Sequence, residues 1–240
     1  MNITILRSVL KNHALFIILA VLGVVAAIFL SEKVLPSANL DLKILPKEAE
    51  QRAEAYLKEK GFDTASYQRA TDFFDSKHEV VFLQKSWGIE KLHEEIKKDS
   101  TLGLWGYQTR FFKPLEKEEF VVFMDVAGEH ITFTHVLPES REGAKLTKEE
   151  AGIIAQKYLE EKENINLSDY EEKDYNISAL DKRTDHVFSY KLKGWDIDWN
   201  GDMSEKGKKL IMVRVAGDEV AMFKRGIFYS GRIHKIAGNN

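Results

Sequence analysis

The chain has no cysteine and only four prolines among its 240 residues. The absence of cysteine excludes disulfides, thiolate nucleophiles and cysteine-ligated zinc. Neither positive nor negative residues are in large excess, because 35 basic residues nearly balance 38 acidic residues and leave a net charge of -3. We therefore expect no nucleic-acid partner, whose recognition requires a basic surface.

Motifs of common catalytic sites are missing as well. The sequence contains neither a G-x-S-x-G nucleophile turn nor a glycine-rich phosphate loop, and His93-Glu94 has no second histidine at zincin spacing. His130 and His135 are five residues apart on one predicted strand, so we expect them to point to opposite faces. We predict no enzymatic activity, with a hydrolase of unrecognised site as an alternative. The histidines considered as metal ligands have no paired-ligand spacing and are scattered over several predicted elements, namely His78, His93, His130, His135, His186 and His234.

Long apolar runs are absent except at one place near the amino terminus. Residues Asn12 to Ser31 contain no Lys, Arg, Asp or Glu. A helix of this length, at about 1.5 Å per residue, matches the roughly 30 Å hydrocarbon core of a bilayer. The sequence therefore predicts one membrane helix, with residues 1–36 forming a short tail and an anchor.

The charges beside this run predict its orientation. Arg7 and Lys11 precede it, whereas Glu32 and Lys33 cancel each other after it. The positive-inside rule then leaves the amino terminus in the cytoplasm and the remaining chain in an extracytoplasmic space. A cleaved signal peptide is the alternative, but its apolar region is usually only about 7 to 15 residues long. We expect a retained anchor and a single-pass protein of the cell membrane.

The remaining chain contains a repeated helical pattern. The segments 49–57 and 151–159 share Ala-x-x-x-Ala-x-x-Tyr-Leu. These positions lie on one face of a helix. Thr147 and Glu150 form a predicted capping box before the second helix. We predict helices that begin near Pro46 and Lys148, each packed through its alanines on a sheet.

A second pair of similar segments predicts two β-hairpins. Residues 124–131 and 213–220 each have an alternating apolar run, then Ala-Gly and polar residues, then another run. Between the first helix and hairpin, residues 77–98 keep helical spacing, with Gly88 separating two short helices. Strands are predicted near residues 67–74, 105–113, 119–126, 130–137, 170–179, 185–193, 209–215 and 219–223.

These patterns predict the α+β class. After the anchor, we expect two units of like topology, each a helix packed on an antiparallel sheet. A breaker-rich linker at residues 138–143 separates them. The predicted units are residues 37–139 and residues 144–240.

The order of these segments resembles a known family. Helices that carry E-A-x-x-x-A-x-x-Y-L before an antiparallel hairpin resemble PepSY-like domains of peptidase propeptides and envelope proteins. The order of segments is more specific. An anchor comes first, and it is followed by "PKEAEQRAEAYLKEKGFD", the block that begins "WGYQTRFF", "LTKEEAGIIAQKYL" and "VRVAGDEV". This order looks like the amino-terminal extracytoplasmic region of CPBP-type (CAAX protease-like) intramembrane metalloproteases.

The catalytic residues of that family are missing here. Its metal site uses EExxxR, FxxxH and HxxxN-type motifs on later membrane helices, and the glutamate pairs of this chain lack the required arginine. Phe74 and His78 match FxxxH by spacing alone, in a polar stretch. The resemblance implies an accessory module without the protease, which binds a protein or peptide partner in the envelope and regulates or supplies a membrane protease.

Residues 196–203 begin like a calcium-binding loop. The segment follows D-x-[DN]-x-[DN]-G, in which alternate oxygen ligands converge on a hard cation. Its twelfth residue is Gly207 instead of the bidentate glutamate, and a polar hairpin loop anchored by Trp195 and Trp199 is the alternative. An envelope calcium- or ligand-binding domain is thus our second functional hypothesis, and no other cofactor is expected. The candidate ligands are Asp196, Asp198, Asn200 and Asp202.

Overall fold

The computed structural model describes residues 3–38, 40–198 and 206–229. In these ranges five α-helices and eight β-strands form an α+β fold, which confirms the predicted class. The helices are α1 (Ile3–Val34), α2 (Pro46–Glu59), α3 (Lys77–Trp87), α4 (Ile89–Lys98) and α5 (Lys148–Lys162). The strands are β1 (Gln68–Asp75), β2 (Trp105–Phe112), β3 (Glu119–Asp125), β4 (His130–Val136), β5 (Tyr170–Ala179), β6 (Thr184–Asp198), β7 (Lys206–Ala216) and β8 (Glu219–Tyr229).

Helix α1 stands apart from the folded region. Its residues His13–Ser31 have a mean hydropathy of 2.9, and none of this stretch is buried within the protein. Large apolar side chains such as Phe16 and Phe29 therefore face outward. By length and composition α1 is a candidate membrane span.

Helices α2 and α5 begin as their sequences predict. Pro46 occupies the first turn of α2, where its missing N–H costs no hydrogen bond. Thr147 and Glu150 form a capping box at the start of α5, with the Thr147 N–H donating to Glu150 Oε2 at 2.9 Å. The predicted burial is confirmed because the residues that face the sheet are 0% exposed, namely Ala49, Ala53, Leu57, Ala151, Ala155 and Leu159.

All eight described strands belong to one antiparallel sheet with the order β1-β2-β3-β4-β8-β7-β6-β5. The strands of the two predicted units are joined where β4 pairs with β8, in a register that places Phe133 opposite Phe223. The sequence analysis did not predict this pairing, because no local pattern specifies which distant strands pair. Each half of the sheet is formed by a helix and the four strands that follow it, and β1 and β5 are the two edge strands.

Helices α2 and α5 pack on the two halves of the sheet. Helix α2 buries Ala53 and Leu57 against β2–β4, and α5 buries Ala155 and Leu159 against β6–β8. Helices α3 and α4 pack against the far ends of the long strands β6–β8, which hold Ile197 and Ile227. Gly207 permits this packing, since a Cβ atom there would lie 2.4 Å from the ring of Phe82.

Candidate functional site

A buried polar cluster lies where the ends of α2 and α5 meet. The hydroxyls of Tyr56 and Tyr158 are 3.0 Å apart, and both donate to Glu163 Oε1, at 3.0 Å and 2.7 Å. Lys60 Nζ completes an ion pair with the same oxygen at 3.0 Å. The side chains of Lys60 and Glu163 are only 9% and 6% exposed. One carboxylate therefore connects residues from both halves of the fold.

The electrostatics of this cluster keep Glu163 ionised. Burial opposes its ionisation, but hydrogen bonds and charges from His130, Tyr158 and Lys60 outweigh burial and lower its pKa to about 2. His130 Nδ1 lies 3.5 Å from Glu163 Oε2, and its ring stacks on Tyr56. Burial lowers the pKa of His130 and raises that of each tyrosine. Because donors surround the carboxylate, we interpret the cluster as structural.

A second set of charges surrounds His135 at the other end of β4. Its Nε2 lies 2.7 Å from Glu118 Oε1, and its Nδ1 lies 3.2 Å from Glu219 Oε1. Arg141, in the linker, donates to Glu118 at 2.8 Å. This contact with His135 outweighs the effect of burial and lowers the pKa of Glu219. These contacts connect the linker and the residue before β3 to β4 and to the first residue of β8.

The linker is also held by a buried arginine. Arg183 pairs with Asp185 at 2.8 Å and donates to the carbonyl oxygens of Pro138 at 2.7 Å and Arg141 at 3.0 Å. Both charged side chains are almost fully buried. The breaker-rich composition predicted a linker here, but it did not predict that Arg183, directly before β6, would fix its path.

The prediction that His130 and His135 point to opposite faces of a strand is wrong. Tyr56 stacks on His130, and Phe62 contacts His135, so both imidazoles meet residues from the α2 side of the sheet. The cause is a β-bulge. Phe123 pairs with Thr132, and Met124 pairs with His130, which leaves the intervening residue unpaired and shifts the alternation.

The histidines do not converge on a metal site within the part of the chain that the structure describes. No group of three or more His, Cys, Asp or Glu side chains there has a geometry suited to a metal. His78 lies on the exposed surface of α3, and His93 on α4 contacts backbone carbonyls. His186 is buried between Tyr175 and the carbonyl of Leu146. His234 lies outside the described residues.

The calcium loop is only partly described. Asp198 is the last residue of β6, and Asp196 accepts a hydrogen bond from Lys191 at 2.6 Å. Asn200 and Asp202 lie outside the described residues. The strand flanks agree with the hairpin alternative, and calcium binding stays a prediction.

Strand β1 is an edge strand with exposed apolar side chains. Phe73 is 48% exposed and Phe74 is 37% exposed, although they touch Tyr107 of β2 and Phe123 of β3. Successive residues of a strand point to opposite faces. Both sides of this edge are therefore partly apolar.

A cleft of about 370 Å³ lies beside the segment that leaves α1. Leu40, Lys43 and Ile96 line one part of it, and Trp105 and Val126 line another. The segment is fixed by His93 Nε2, which lies 3.2 Å from the carbonyl oxygen of Pro36, and by a hydrogen bond from the Lys43 N–H to the carbonyl oxygen of Val126. The sequence analysis missed this cleft, since its lining comes from distant segments.

The comparisons with known proteins give one solved structure. The Bacillus megaterium YpeB C-terminal domain has a TM-score of 0.39 and 11% sequence identity to this chain, and the match covers 77% of this chain and 64% of that domain. The chain therefore spans less than two thirds of the structure that it matches. No family model and no curated protein matches this chain.

Proposed function

We propose that this chain is a single-pass membrane protein with a non-enzymatic extracytoplasmic domain. In this proposal the domain binds an extended peptide segment of an envelope protein at the free edge of β1. The bilayer-length helix α1, whose apolar side chains are exposed, supports the anchor. The charges Arg7 and Lys11 support a cytoplasmic amino terminus.

The edge of β1 is the observation that carries the binding proposal. An edge strand presents unpaired N–H and C=O groups, and soluble proteins usually protect such edges with charges, proline or bulges. β1 has neither a proline nor a bulge in its pairing with β2, its charged residues Arg69, Asp72 and Asp75 are not consecutive, and Phe73 and Phe74 stand next to each other on it. Strand addition uses the same backbone groups for affinity and side-chain pockets for specificity.

The opposite edge of the sheet provides the contrast. β5 carries Glu171, Glu172, Lys173 and Asp174 in succession and has a bulge between Glu172 and Asp174. Both features disfavour the addition of another strand. The two edges therefore differ in their consecutive charges and in the bulge, which only β5 has, and this difference favours β1 as the edge that receives a partner.

We further propose that the partner is a membrane protease of the same membrane, because the sequence resembles the accessory regions of intramembrane proteases. This part rests on analogy between families and not on the geometry of a site. It assigns the chain a regulatory or substrate-presenting role.

Crosslinking in intact cells tests the binding proposal. Benzoylphenylalanine replaces Phe73 in one variant and Ile177 on β5 in the matched control, since Ile177 is 57% exposed. We expect a discrete protein adduct from position 73 and none from position 177. In a second variant that also carries Thr71→Pro, the adduct should disappear, because proline removes a backbone donor and disfavours strand pairing.

Two results contradict the proposal. One is the absence of any adduct at position 73 in cells that express the folded protein. The other is an equal adduct yield at positions 73 and 177, which would indicate nonspecific contact with neighbouring proteins.

A further inference from the structure

The segment between α1 and α2 does not have the composition of a flexible tether. We call it the connector, and the structure describes its residues 35–38 and 40–45. Flexible linkers are rich in glycine and serine, whereas residues 35–45 contain one proline, one serine and no glycine. The proline ring also restricts the backbone torsion φ. The sequence of the connector therefore favours a defined path of the chain.

Local hydrogen bonds set the direction in which the chain leaves α1. The Leu35 N–H donates to the carbonyl oxygen of Ser31 at 2.8 Å, so the helical hydrogen bonding runs into the connector. Two turns follow. The Ala38 N–H donates to the carbonyl oxygen of Leu35 at 3.1 Å. The Leu40 N–H donates to that of Ser37 at 3.2 Å. The first part of the connector is therefore a continuation of α1 and not a loose coil.

Helix α4 holds the connector directly after α1. His93 Nε2 lies 3.3 Å from the carbonyl oxygen of Leu35 and 3.2 Å from that of Pro36, so a proton on Nε2 is shared between the two oxygens. Pro36 and Leu40 also lie beside Ile96 of α4. Leu40 packs against the core cluster to which α4 contributes. The end of α1 is thus attached to a helix of the folded domain.

The other end of the connector is attached to the sheet and to α2. The Lys43 N–H donates to the carbonyl oxygen of Val126, directly after β3, at 2.9 Å. The next residue, Ile44, is 3% exposed and packs with Ala49 of α2 and Tyr107 of β2. A swing of the folded domain relative to α1 would therefore break contacts at both ends of the connector.

The same contacts reach the free edge of the sheet. The ring of Tyr107 contacts that of Phe73 on β1, with the ring centroids 5.6 Å apart and the ring planes at 78°. Ile44, Tyr107 and Phe73 therefore form a packed path from the connector to the edge strand. This path places the edge at a defined position relative to the end of α1.

We propose that the connector couples α1 rigidly to the folded domain. The domain then keeps one orientation relative to the anchor, and a change in the tilt of α1 reorients the whole sheet together with the edge of β1. A flexible tether would instead let the domain sample many orientations. The inference rests on the anchor of the proposed function and not on the peptide partner.

Distances between pairs of nitroxide labels test the coupling in the full chain in nanodiscs. The chain has no native cysteine, so single cysteines can be introduced for labelling. The test pair is Lys33→Cys, in the last turn of α1, with Lys117→Cys, between β2 and β3. The reference pair is Lys117→Cys with Asp181→Cys, within the folded domain. All three residues are exposed. We expect the test pair to give as narrow a distance distribution as the reference pair.

Three variants supply the comparison. Four glycines inserted after Val34 form a flexible tether with an end-to-end distance of about 11 Å, so the distribution of the test pair should widen by roughly that amount. His93→Ala removes the hydrogen bonds from α4 to the connector and should widen the distribution less. His78→Ala is the matched control, because His78 is an exposed histidine on the neighbouring helix α3. It should leave the distribution unchanged.

Two results overturn the inference. One is a native test pair whose distribution is as broad as that of the glycine variant, and the other is a distribution that the glycines do not widen. Equal effects of His93→Ala and His78→Ala contradict the role of His93. If His93→Ala disturbs the fold, the reference pair broadens as well, and the glycine variant then decides. Chains that do not co-purify with the nanodisc contradict the proposed anchor, and the same distances measured in detergent still decide on the coupling.

Discussion

Glu163 shows how a buried charge can connect two halves of a fold. It accepts hydrogen bonds from Tyr56 and Tyr158 and pairs with Lys60. Burying such a pair costs desolvation energy, and the cost is offset only when the remaining hydrogen bonds are satisfied. The tyrosines supply those hydrogen bonds. Removal of one partner therefore leaves the other charge buried without compensation.

Replacing Glu163 with Gln should destabilise the fold by about 3 to 5 kcal/mol. The reason is that Lys60 remains buried with no counter-charge. Urea unfolding of residues 32–240 measures the change. Glu172→Gln is the matched control, since Glu172 forms a solvent-exposed pair with Lys148, and such pairs contribute little to stability. Similar effects of the two substitutions would show that the Glu163 ion pair contributes little.

Acid should weaken the fold in two steps. The lowered pKa of His130 means that the unfolded chain binds a proton before the folded chain does, so stability falls as pH drops below 6.5. The pKa of Glu163 is about 2 instead of 4.5, so its contribution to the free energy of unfolding is complete above pH 4.5. This contribution is lost as the pH falls from 4.5 to about 2. That loss amounts to about 3 kcal/mol.

Unfolding free energies measured from pH 7 to pH 3 test these signs. His130→Gln should flatten the dependence below pH 6.5, and Glu163→Gln should flatten it below pH 4.5. A native chain whose stability rises on acidification across either window would contradict the assigned shifts.

The burial of these residues could be predicted only in part from local patterns. Tyr56 and Tyr158 belong to the repeated Ala-x-x-x-Ala-x-x-Tyr-Leu pattern, which predicted only that they face the sheet. Glu163 follows α5 in a charged run, where a solvated side chain is the ordinary expectation. Its burial depends on the contact between two helices whose sequences are far apart. A pattern in one segment cannot contain that information.

At the level of elements, helix propensity and capping determine the ends of α5. Residues Lys148–Lys162 are helical as predicted, and α3 and α4 are separated at Gly88 as predicted. Strand ends were less predictable. β6 and β8 extend to Asp198 and Tyr229, beyond the predicted ends, because α3 and α4 provide apolar surface for their final residues.

The alanines of α2 and α5 should not tolerate a large side chain. We expect Ala53→Phe and Ala155→Phe each to destabilise the fold by about 1 to 3 kcal/mol or more, because both sites lie directly against the sheet. Thermal unfolding of residues 32–240 measures the change. Ala55→Phe is the control on α2, since Ala55 is exposed. Equal destabilisation at positions 53 and 55 would contradict close packing at Ala53.

At the scale of the whole molecule, the two predicted units share one sheet. Contacts between the halves include Tyr56 with Tyr158, His135 with Glu219, and Asp99 with Lys209. The order of helices and strands was available from local patterns. The β4–β8 pairing was not, since it depends on two strands that are separated by the linker and α5. The division at residues 37–139 and 144–240 stays a prediction.

The two halves should unfold together. Urea unfolding of residues 32–240, followed by tryptophan fluorescence and by circular dichroism, should give one coincident transition, because separation of the halves breaks the β4–β8 pairing and the hydrogen bonds to Glu163. Two resolved transitions would show that each unit is stable alone.

The central claim is that α1 is a retained anchor that places the folded domain outside the cytoplasm. The absence of native cysteine permits a direct measurement with single introduced cysteines at Asn2 and at Ser66, which is exposed before β1. Intact cells are treated with a membrane-impermeant maleimide. We predict that membrane-bound Ser66→Cys is labelled in intact cells and that Asn2→Cys is labelled only after permeabilisation. The reverse pattern, or labelled protein that is released from the membrane as a shorter chain, would contradict the claim.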